Sequence, residues 1–515
     1  MTHNQTLTVA MSLLLAAPAV ANAKSSKPNL LFIVTDEHNF RTLGCYRDLL
    51  PKDQAEIWGD GNIVETPNID KIAERGVLFD RMYASASVST AARAAMFTGF
   101  YGHQLGMPNN SNKPGDGKYL HEDVRTIAQI LSEAGYKTGY AGKLHLAEER
   151  GEKHDEWWEP YPVGCEGYNY GFQDNRYMFN GGHGKFIGMG DDGKPYFASA
   201  RSVPNGRDKY GFARFKDEKS SNVSSTNDFL CTRALEFIDE NSDNPFYYVV
   251  SIPDPHTPDT AVGDYTNLYT DMRVEKPRTY DAPRPEGTPK WQRPDGKAVS
   301  LAKSLPQYFG MVKNIDDNVG RILDKLEQEG ILENTIIVFT SDHGDLMGEH
   351  ARMNKGTIHD GATKVPFVIA HGKDCKKPLV PRGKVVKEAS NTTDWMPTFL
   401  SLLGVKSPEV PGRDVTPLMS GKAPKGWNDV TFSQLGFTAA IDSRYKLMVT
   451  PFGDEPWFFD AVEDPDEIVN LYNDPKYDEI IVKLTKDLQK YNVECNNSSE
   501  KIASILEKIL TDKGC

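Results

Sequence analysis

The chain has 515 residues, 39% of them apolar and 25% charged, so an ordinary folded protein with a large core is the starting expectation rather than a disordered one. Its formal net charge is -13, which argues against a nucleic-acid binder that works by neutralising phosphates. The acidic balance still leaves room for a local basic pocket that holds a small anion.

The first feature in chain order is an apolar run from Leu7 to Val20, followed by Ala21-Asn22-Ala23, which has the small-x-small form of a signal-peptidase site. Residues 1–23 therefore read as a secretion signal, although the segment before the run offers only His3 and no Lys or Arg. The expectation is a periplasmic or secreted protein. No later run is long and apolar enough to span a bilayer, and no Cys follows the cleavage site to carry a lipid anchor. Six cysteines (Cys45, Cys165, Cys231, Cys375, Cys495 and Cys515) are widely spaced without a CxxC pair, so no zinc ribbon is indicated. Cys495 and Cys515 are the candidate pair for a late disulfide. Asn-x-Ser/Thr sequons stand at Asn222, Asn391 and Asn497.

From residue 29 onward, strand-like and helix-like segments alternate. Asn29-Leu30-Leu31-Phe32-Ile33-Val34 is a continuous apolar run that suits a strand buried on both faces, and it ends in Asp36-Glu37-His38. A helix is expected over Asn68 to Arg75. Ser89-Thr90-Ala91-Ala92-Arg93, continuing to Thr98-Gly99, can set a hydroxyl and a guanidinium on one face at the start of a helix, where free N–H groups favour an anion. A helix over Val124 to Ala134 leads to Gly142-Lys143-Leu144-His145, in which an extended backbone would point Lys143 and His145 to the same side.

Residues 150–225 are rich in Gly, Trp, Tyr and charge with weak periodicity and read as a surface insertion. A helix over Phe229 to Glu240 precedes a second buried strand, Phe246 to Ile252, which runs into Asp254-Pro255-His256-Thr257-Pro258. Residues 255–300, rich in Pro, Asp and Arg, form a second expected insertion. Tyr308, Met311, Val312, Ile315, Val319, Ile322, Leu323 and Leu326 recur at three- and four-residue steps, the pattern of one helix face. The run Thr335 to Thr340 then ends in Ser341-Asp342-His343-Gly344-Asp345, closely followed by Asn354-Lys355-Gly356-Thr357 and another strand, Val365 to Ala370. Beyond residue 425 come short strand-like pieces around Val430-Thr431-Phe432, Tyr445 to Val449 and Glu455 to Asp460, with a helix near 476–492. Ligands of open α/β sheets bind beyond the carboxyl ends of the strands. Two such ends carry acidic clusters here, and together they make an oxygen-rich site for a hard divalent cation.

Taken in order, these blocks resemble the sulfatase family of the alkaline-phosphatase superfamily. Ser89-Thr90-Ala91-Ala92-Arg93 resembles its Cys/Ser-x-Pro/Ala-x-Arg signature, and Gly135-Tyr136-Lys137-Thr138…Gly142-Lys143-Leu144-His145 its Gly-Tyr-x-Thr…Gly-Lys-Trp-His block. Thr340-Ser341-Asp342-His343-Gly344, Lys355-Gly356-Thr357, Tyr445-Lys446-Leu447 and Asp464-Pro465-Asp466-Glu467…Asn470-Leu471 resemble four more. Three departures stand out: Glu37 where the family usually has Asp, Gln or Asn, Ala91 and Ala92 for the common Pro and Ser, and Ser rather than Cys at 89.

The resemblance implies an α/β fold, with an alkaline-phosphatase-like large mixed, mostly parallel sheet flanked by helices in residues 24–424 and a smaller antiparallel sheet plus helix in 425–515. It implies a sulfatase with a formylglycine made from Ser89 by a maturation enzyme. It also implies one divalent cation, Ca²⁺, held by Asp36, Glu37, Ser89, Asp342 and His343. By the same resemblance Arg93 and Lys143 hold the nucleophile, Lys355 neutralises the sulfate, His256 protonates the leaving alcohol, and His145 is a base or diol partner. The expected substrate is a sulfated carbohydrate, contacted by Trp157, Trp158, Tyr168, Tyr170, Arg207 and Arg214 from the first insertion. Two other readings are a phosphonate or phosphate ester hydrolase on the same fold, and a non-catalytic glycan-binding protein.

Overall fold

In a computed structural model that describes residues 27–111, 115–148, 168–199, 202–283, 294, 296–372, 375, 377–497 and 499–514, the first apolar run becomes the strand Asn29–Asp36. The secretion signal expected over residues 1–23, and with it Trp157, Trp158, Cys165 and Cys515, lies outside the described residues. The strand sits near the middle of an eight-stranded sheet ordered Lys384–Val386, Val77–Phe79, Phe367–His371, Thr335–Ser341, Asn29–Asp36, Phe246–Pro255, Lys137–Lys143, Asp174–Phe179. Only Phe367–His371 runs against the others.

Both faces of this sheet are covered, which is why its strands read as unbroken apolar runs. Leu30, Phe32 and Val34 face one core with residues of the helices Ser89–Thr98, Ile127–Glu133 and Trp395–Leu402. Leu31 and Ile33 face the other with the helices Pro67–Arg75, Thr226–Asn241 and Leu301–Gln328. Phe32 sets its ring edge-on against Phe97, Trp395 and Phe399. Truncation of such a side chain to Ala costs about 3–5 kcal/mol. All eight apolar positions predicted between Tyr308 and Leu326 are buried, in a helix longer than its periodic stretch.

The described part of the first insertion holds more regular structure than its composition suggests. Residues 186–225 form a five-stranded antiparallel sheet, ordered Pro195–Phe197, Phe186–Met189, Val223–Ser225, Ala213–Lys216, Val203–Arg207. Val203–Arg207 is exposed along its whole length, so no buried face imposes the alternation by which a strand is read. Tyr170 is buried in the main core and Tyr168 packs against it. Arg207 pairs with Asp264, and Arg214 with Asp208.

The C-terminal part has its own four-stranded antiparallel sheet, Thr431–Gln434, Thr438–Ile441, Tyr445–Val449 and Trp457–Asp460, each strand beside the next. Two helices, Asp478–Glu494 and Glu500–Asp512, share a core with it, where a single helix was expected. Cys45, Cys231, Cys375 and Cys495 form no disulfide with one another. Of the sequon asparagines, Asn391 and Asn497 are buried and Asn222 is exposed.

Candidate active site

Register brings the two acidic strand ends together. Thr35 lies opposite Ser341 in neighbouring parallel strands, so the residues that follow leave the sheet side by side. The turns then bind each other: the Glu37 N–H donates to Asp342 Oδ1 at 3.2 Å, and the His38 N–H to the His343 carbonyl at 3.1 Å. Asp36, Glu37, Asp342 and His343 are all fully buried. Glu37 holds φ 62° and His145 φ 56°. This left-handed backbone costs a residue with a Cβ roughly 1–2 kcal/mol.

The helix Ser89–Thr98 begins at this edge, with Val88 extended before it and Gly99 closing it at φ 75°. Ser89 is its first residue and is 1% exposed. Its Oγ donates to Asp36 Oδ1 at 3.2 Å, lies 3.0 Å from His343 Nε2, and accepts from Lys143 Nζ at 3.2 Å. One turn later Arg93 is buried on the same face. Its Nε donates to Asp342 Oδ2 at 2.8 Å, and its Nη1 to the Lys143 carbonyl at 2.7 Å and Ser251 Oγ at 2.8 Å. Nη2 has no hydrogen-bond partner among the described residues.

The second half of the site lies on loops. His256 Nδ1 faces the Thr257 carbonyl at 2.8 Å, while Nε2 lies 2.7 Å from Lys355 Nζ and 3.0 Å from Glu37 Oε2. Lys355 also donates to Glu37 Oε2 at 2.9 Å, and Glu37 Oε1 is buried with no hydrogen-bond partner among the described residues. The side chains of Lys355 and His256 are each 15% exposed, which makes this the open side. His145 follows the strand Lys137–Lys143 instead of belonging to it, and the left-handed bend there replaces the extended backbone that was expected to align it with Lys143.

Burial and neighbouring charge together set the protonation of these groups. Burial pushes the Asp36 carboxyl upward, but Lys143, His256, His183 and Arg93 outweigh it and hold it well below the usual range. Burial lifts Glu37 well above that range, against the pull of Lys355. Burial and the Lys143 charge push His145 well down, and burial and Lys355 do the same to His256. His343 is lowered to about 4, chiefly by burial, so the imidazole is a neutral donor atom at neutral pH.

Asp36, Asp342 and His343 offer ligand atoms within 4.8 Å of one another, a fit for a hard cation with mostly oxygen donors. Glu37 stands beside this group, turned toward Lys355 and His256. One participant escaped the sequence reading. His183, on the Asn180-Gly181-Gly182-His183-Gly184 stretch, is 7% exposed and lies 2.9 Å from Asp36 Oδ2. Its only sequence signal is the glycine run behind the strand Asp174–Phe179, within a stretch that read as surface insertion. A cavity of about 770 Å³ lies elsewhere, lined by Phe100, Tyr101, Arg413, Phe432 and Tyr491 among others and by none of these groups. Convergent chemistry, rather than volume, marks the site.

Residues 28–405 match the model of the Sulfatase family, and residues 348–494 that of the N-sulphoglucosamine sulphohydrolase C-terminal region. The chain is 28% identical over 491 residues to an uncharacterized sulfatase, YidJ, of Escherichia coli, covering 90% of this chain and 87% of that one. It is 25% identical over 511 residues to an N-acetylglucosamine-6-O-sulfatase of Bacteroides thetaiotaomicron, covering 91% and 87%. A structure solved in complex with its substrate D-glucosamine-2-N,6-O-disulfate superposes with a TM-score of 0.69 at 21% identity, covering 92% of this chain and 99% of that one.

Proposed function

The chain belongs to the sulfatase family and is a sulfuric ester hydrolase, and from that premise we propose that it is exported and removes O-sulfate groups from a sulfated carbohydrate. In this reading Ser89 is converted to formylglycine by a maturation enzyme, and residues 24–424 and 425–515 are the catalytic and C-terminal domains. The observation that carries it is the single hydroxyl of Ser89, buried at a helix start within 3.2 Å of Asp36, Lys143 and His343 together. Formylglycine, as its hydrate, supplies one hydroxyl to attack sulfur and a second to expel sulfate afterwards.

The residues fit a divalent cation, Ca²⁺. Asp36, Asp342 and His343 converge, and the unpartnered Glu37 Oε1 is a buried acceptor in want of a positive charge. These four, with the modified residue 89, would hold it. Bound there, the cation supplies positive charge that lowers the pKa of the nucleophile and offsets that of sulfate.

The chain's own side chains do the rest. Arg93 holds Asp342 with Nε and the Lys143 carbonyl with Nη1, which fixes the strand ends around residue 89. Lys143 donates to the oxygen of residue 89 and keeps it oriented. Lys355 faces the open side and neutralises the incoming anion. His256 gives its proton from Nε2 to the departing alcohol oxygen. In the free protein burial and Lys355 keep this imidazole neutral. The negative charge of sulfate between the two raises its proton affinity when it is needed. His145, buried two residues beyond Lys143 in the chain, serves as a base or partner for the second hydroxyl.

Two relatives direct the choice of sugar. One is named for the 6-O-sulfate of N-acetylglucosamine, and another, 26% identical over 503 residues, for the 2-O-sulfate of an unsaturated hexuronate. A panel of glucosamine 6-sulfate, hexuronate 2-sulfate and an aryl phosphonate, with peptide mass measurement at residue 89, tests the reading. We expect a Ser89 peptide lighter by two hydrogens and turnover of a sulfated sugar. Faster phosphonate turnover, or serine alone at position 89 in the native host, overturns it.

A further inference from the structure

The His183 side chain touches both halves of the site. On the nucleophile side its Nε2 lies 2.9 Å from Asp36 Oδ2 and 3.2 Å from Lys143 Nζ. On the leaving-group side its ring lies against that of His256, with centroids 4.2 Å apart and planes inclined by 37°. Nε2 is held between the Asp36 carboxylate and the Lys143 ammonium, which fixes the angle of the His183 ring. The face of that ring is then a wall for His256, whose own Nδ1 is tied to the Thr257 carbonyl and whose Nε2 looks toward Lys355.

The segment that carries His183 is held at both ends. Asn180 exchanges two hydrogen bonds with the Ala147 backbone, and its carbonyl accepts from the His145 N–H. Two residues beyond His183, Lys185 is clamped on the loop of His256. Its Nζ donates to Asp254 Oδ1 at 2.6 Å and to the His256 carbonyl at 3.3 Å. Asp254 is in turn held by Asn227, which donates to Asp254 Oδ2 at 2.9 Å and to Asn314 Oδ1 at 2.8 Å. The two histidines therefore ride on one braced unit, anchored in the helices Thr226–Asn241 and Leu301–Gln328.

We propose that His183 is a positioning residue for the leaving-group step: Asp36 orients its ring, and that ring, packed at a tilt against His256, holds Nε2 of His256 toward the departing oxygen, with the Lys185–Asp254 pair as the strut. This rests on the reading of His256 as the acid. A misplaced acid slows the departure of a basic leaving group far more than that of a stable anion. A damaged nucleophile slows both alike.

The test uses the full-length protein, co-produced with a serine-type maturation enzyme, and two substrates, phenyl sulfate and 4-nitrophenyl sulfate. For His256→Ala, His183→Ala and Lys185→Met we expect kcat on phenyl sulfate to fall about tenfold or more beyond the fall on 4-nitrophenyl sulfate, with KM little changed. His183→Phe, which keeps a ring to pack against His256, should regain part of the phenyl sulfate rate, while His183→Gln, which keeps a hydrogen-bonding group, should not. A leaving-group effect in His256→Ala joined to equal losses on both substrates in His183→Ala overturns the positioning role and leaves His256 as the acid. Equal losses in His256→Ala remove the acid itself, and the inference with it.

Discussion

The molecule buries two clusters of opposite charges, and they do different work. At the strand ends, Asp36, Glu37 and Asp342 meet Arg93, Lys143 and Lys355. Where the C-terminal sheet meets the main body, Lys446 meets Asp360 and Glu467, while Lys364 and Arg81 meet Asp80. Both contain fully buried lysines and carboxyls displaced from their usual range. Burial and displacement therefore do not by themselves mark an active site. At the junction each charge is in contact with an opposite one, and Lys446 also donates to the Ile358 carbonyl, so the cluster is a fastener. At the strand ends a hydroxyl lies among the charges, Glu37 Oε1 and Arg93 Nη2 have no hydrogen-bond partner among the described residues, and the Lys355 side stays open. In the fastener every charge meets an opposite one, including Glu467 Oε1, which accepts no hydrogen bond but pairs with Lys446. A site keeps capacity for what it will bind.

The largest expected effect breaks the active cluster alone. Ser89→Ala should lower kcat by about 10⁴-fold or more, since it removes the group on which the others converge. Its melting temperature should stay close to that of the parent, and residual turnover above that level would contradict the reading of Ser89. Next comes the junction. Lys446→Met leaves Asp360 and Glu467 short of a buried cation and should cost about 3–5 kcal/mol in urea unfolding. The fraction that stays folded should keep turning over substrate.

Lys355→Met sharpens the contrast from the other side. Loss of this anion-facing charge should cost about 10²–10³ in kcat/KM. The stability cost should be small, because Lys355 lies on the open side and His256 Nε2 remains 3.0 Å from Glu37 Oε2. A large drop in unfolding free energy would place Lys355 among the fasteners.

The smallest effect is a difference in sign with pH. His38, buried behind the site between Thr35 and Thr42, is lowered by burial to about 3. The unfolded chain takes up that proton first, so stability falls as pH drops below about 6.5, by up to about 1.4 kcal/mol per unit. Glu467 is lifted to about 7 by burial, against Lys446. The folded chain takes up that proton first, so its contribution rises as pH falls from about 7 toward about 4.5. Unfolding at pH 7 and pH 5 should show His38→Gln flattening the acid loss and Glu467→Gln steepening it.

Much of the fold was legible for one reason. Strands buried on both faces must be apolar throughout, so Leu30 to Val34 and Ile336 to Phe339 declare themselves without their neighbours. The long helix declares itself by its buried stripe. The insertion sheet did not, because Val203–Arg207 is buried on neither face and needs no pattern. Nor did Thr438–Ile441, whose alanines carry little apolar signal, or His183, whose neighbours are glycines and whose partners lie up to 147 residues away.

By itself the sequence determined the order of the acidic strand ends, the Ser89–Arg93 spacing on one helix turn, and the family they resemble, because those follow from local periodicity and short motifs. The tertiary structure decided which of these meet. Parallel register set Asp36 beside Asp342, and a left-handed bend aimed Glu37 at Lys355 and His256. It also carried an unremarked histidine out of an insertion to a position between both halves of the site. Such contacts depend on how distant segments close on one another, and chain order does not contain that distance.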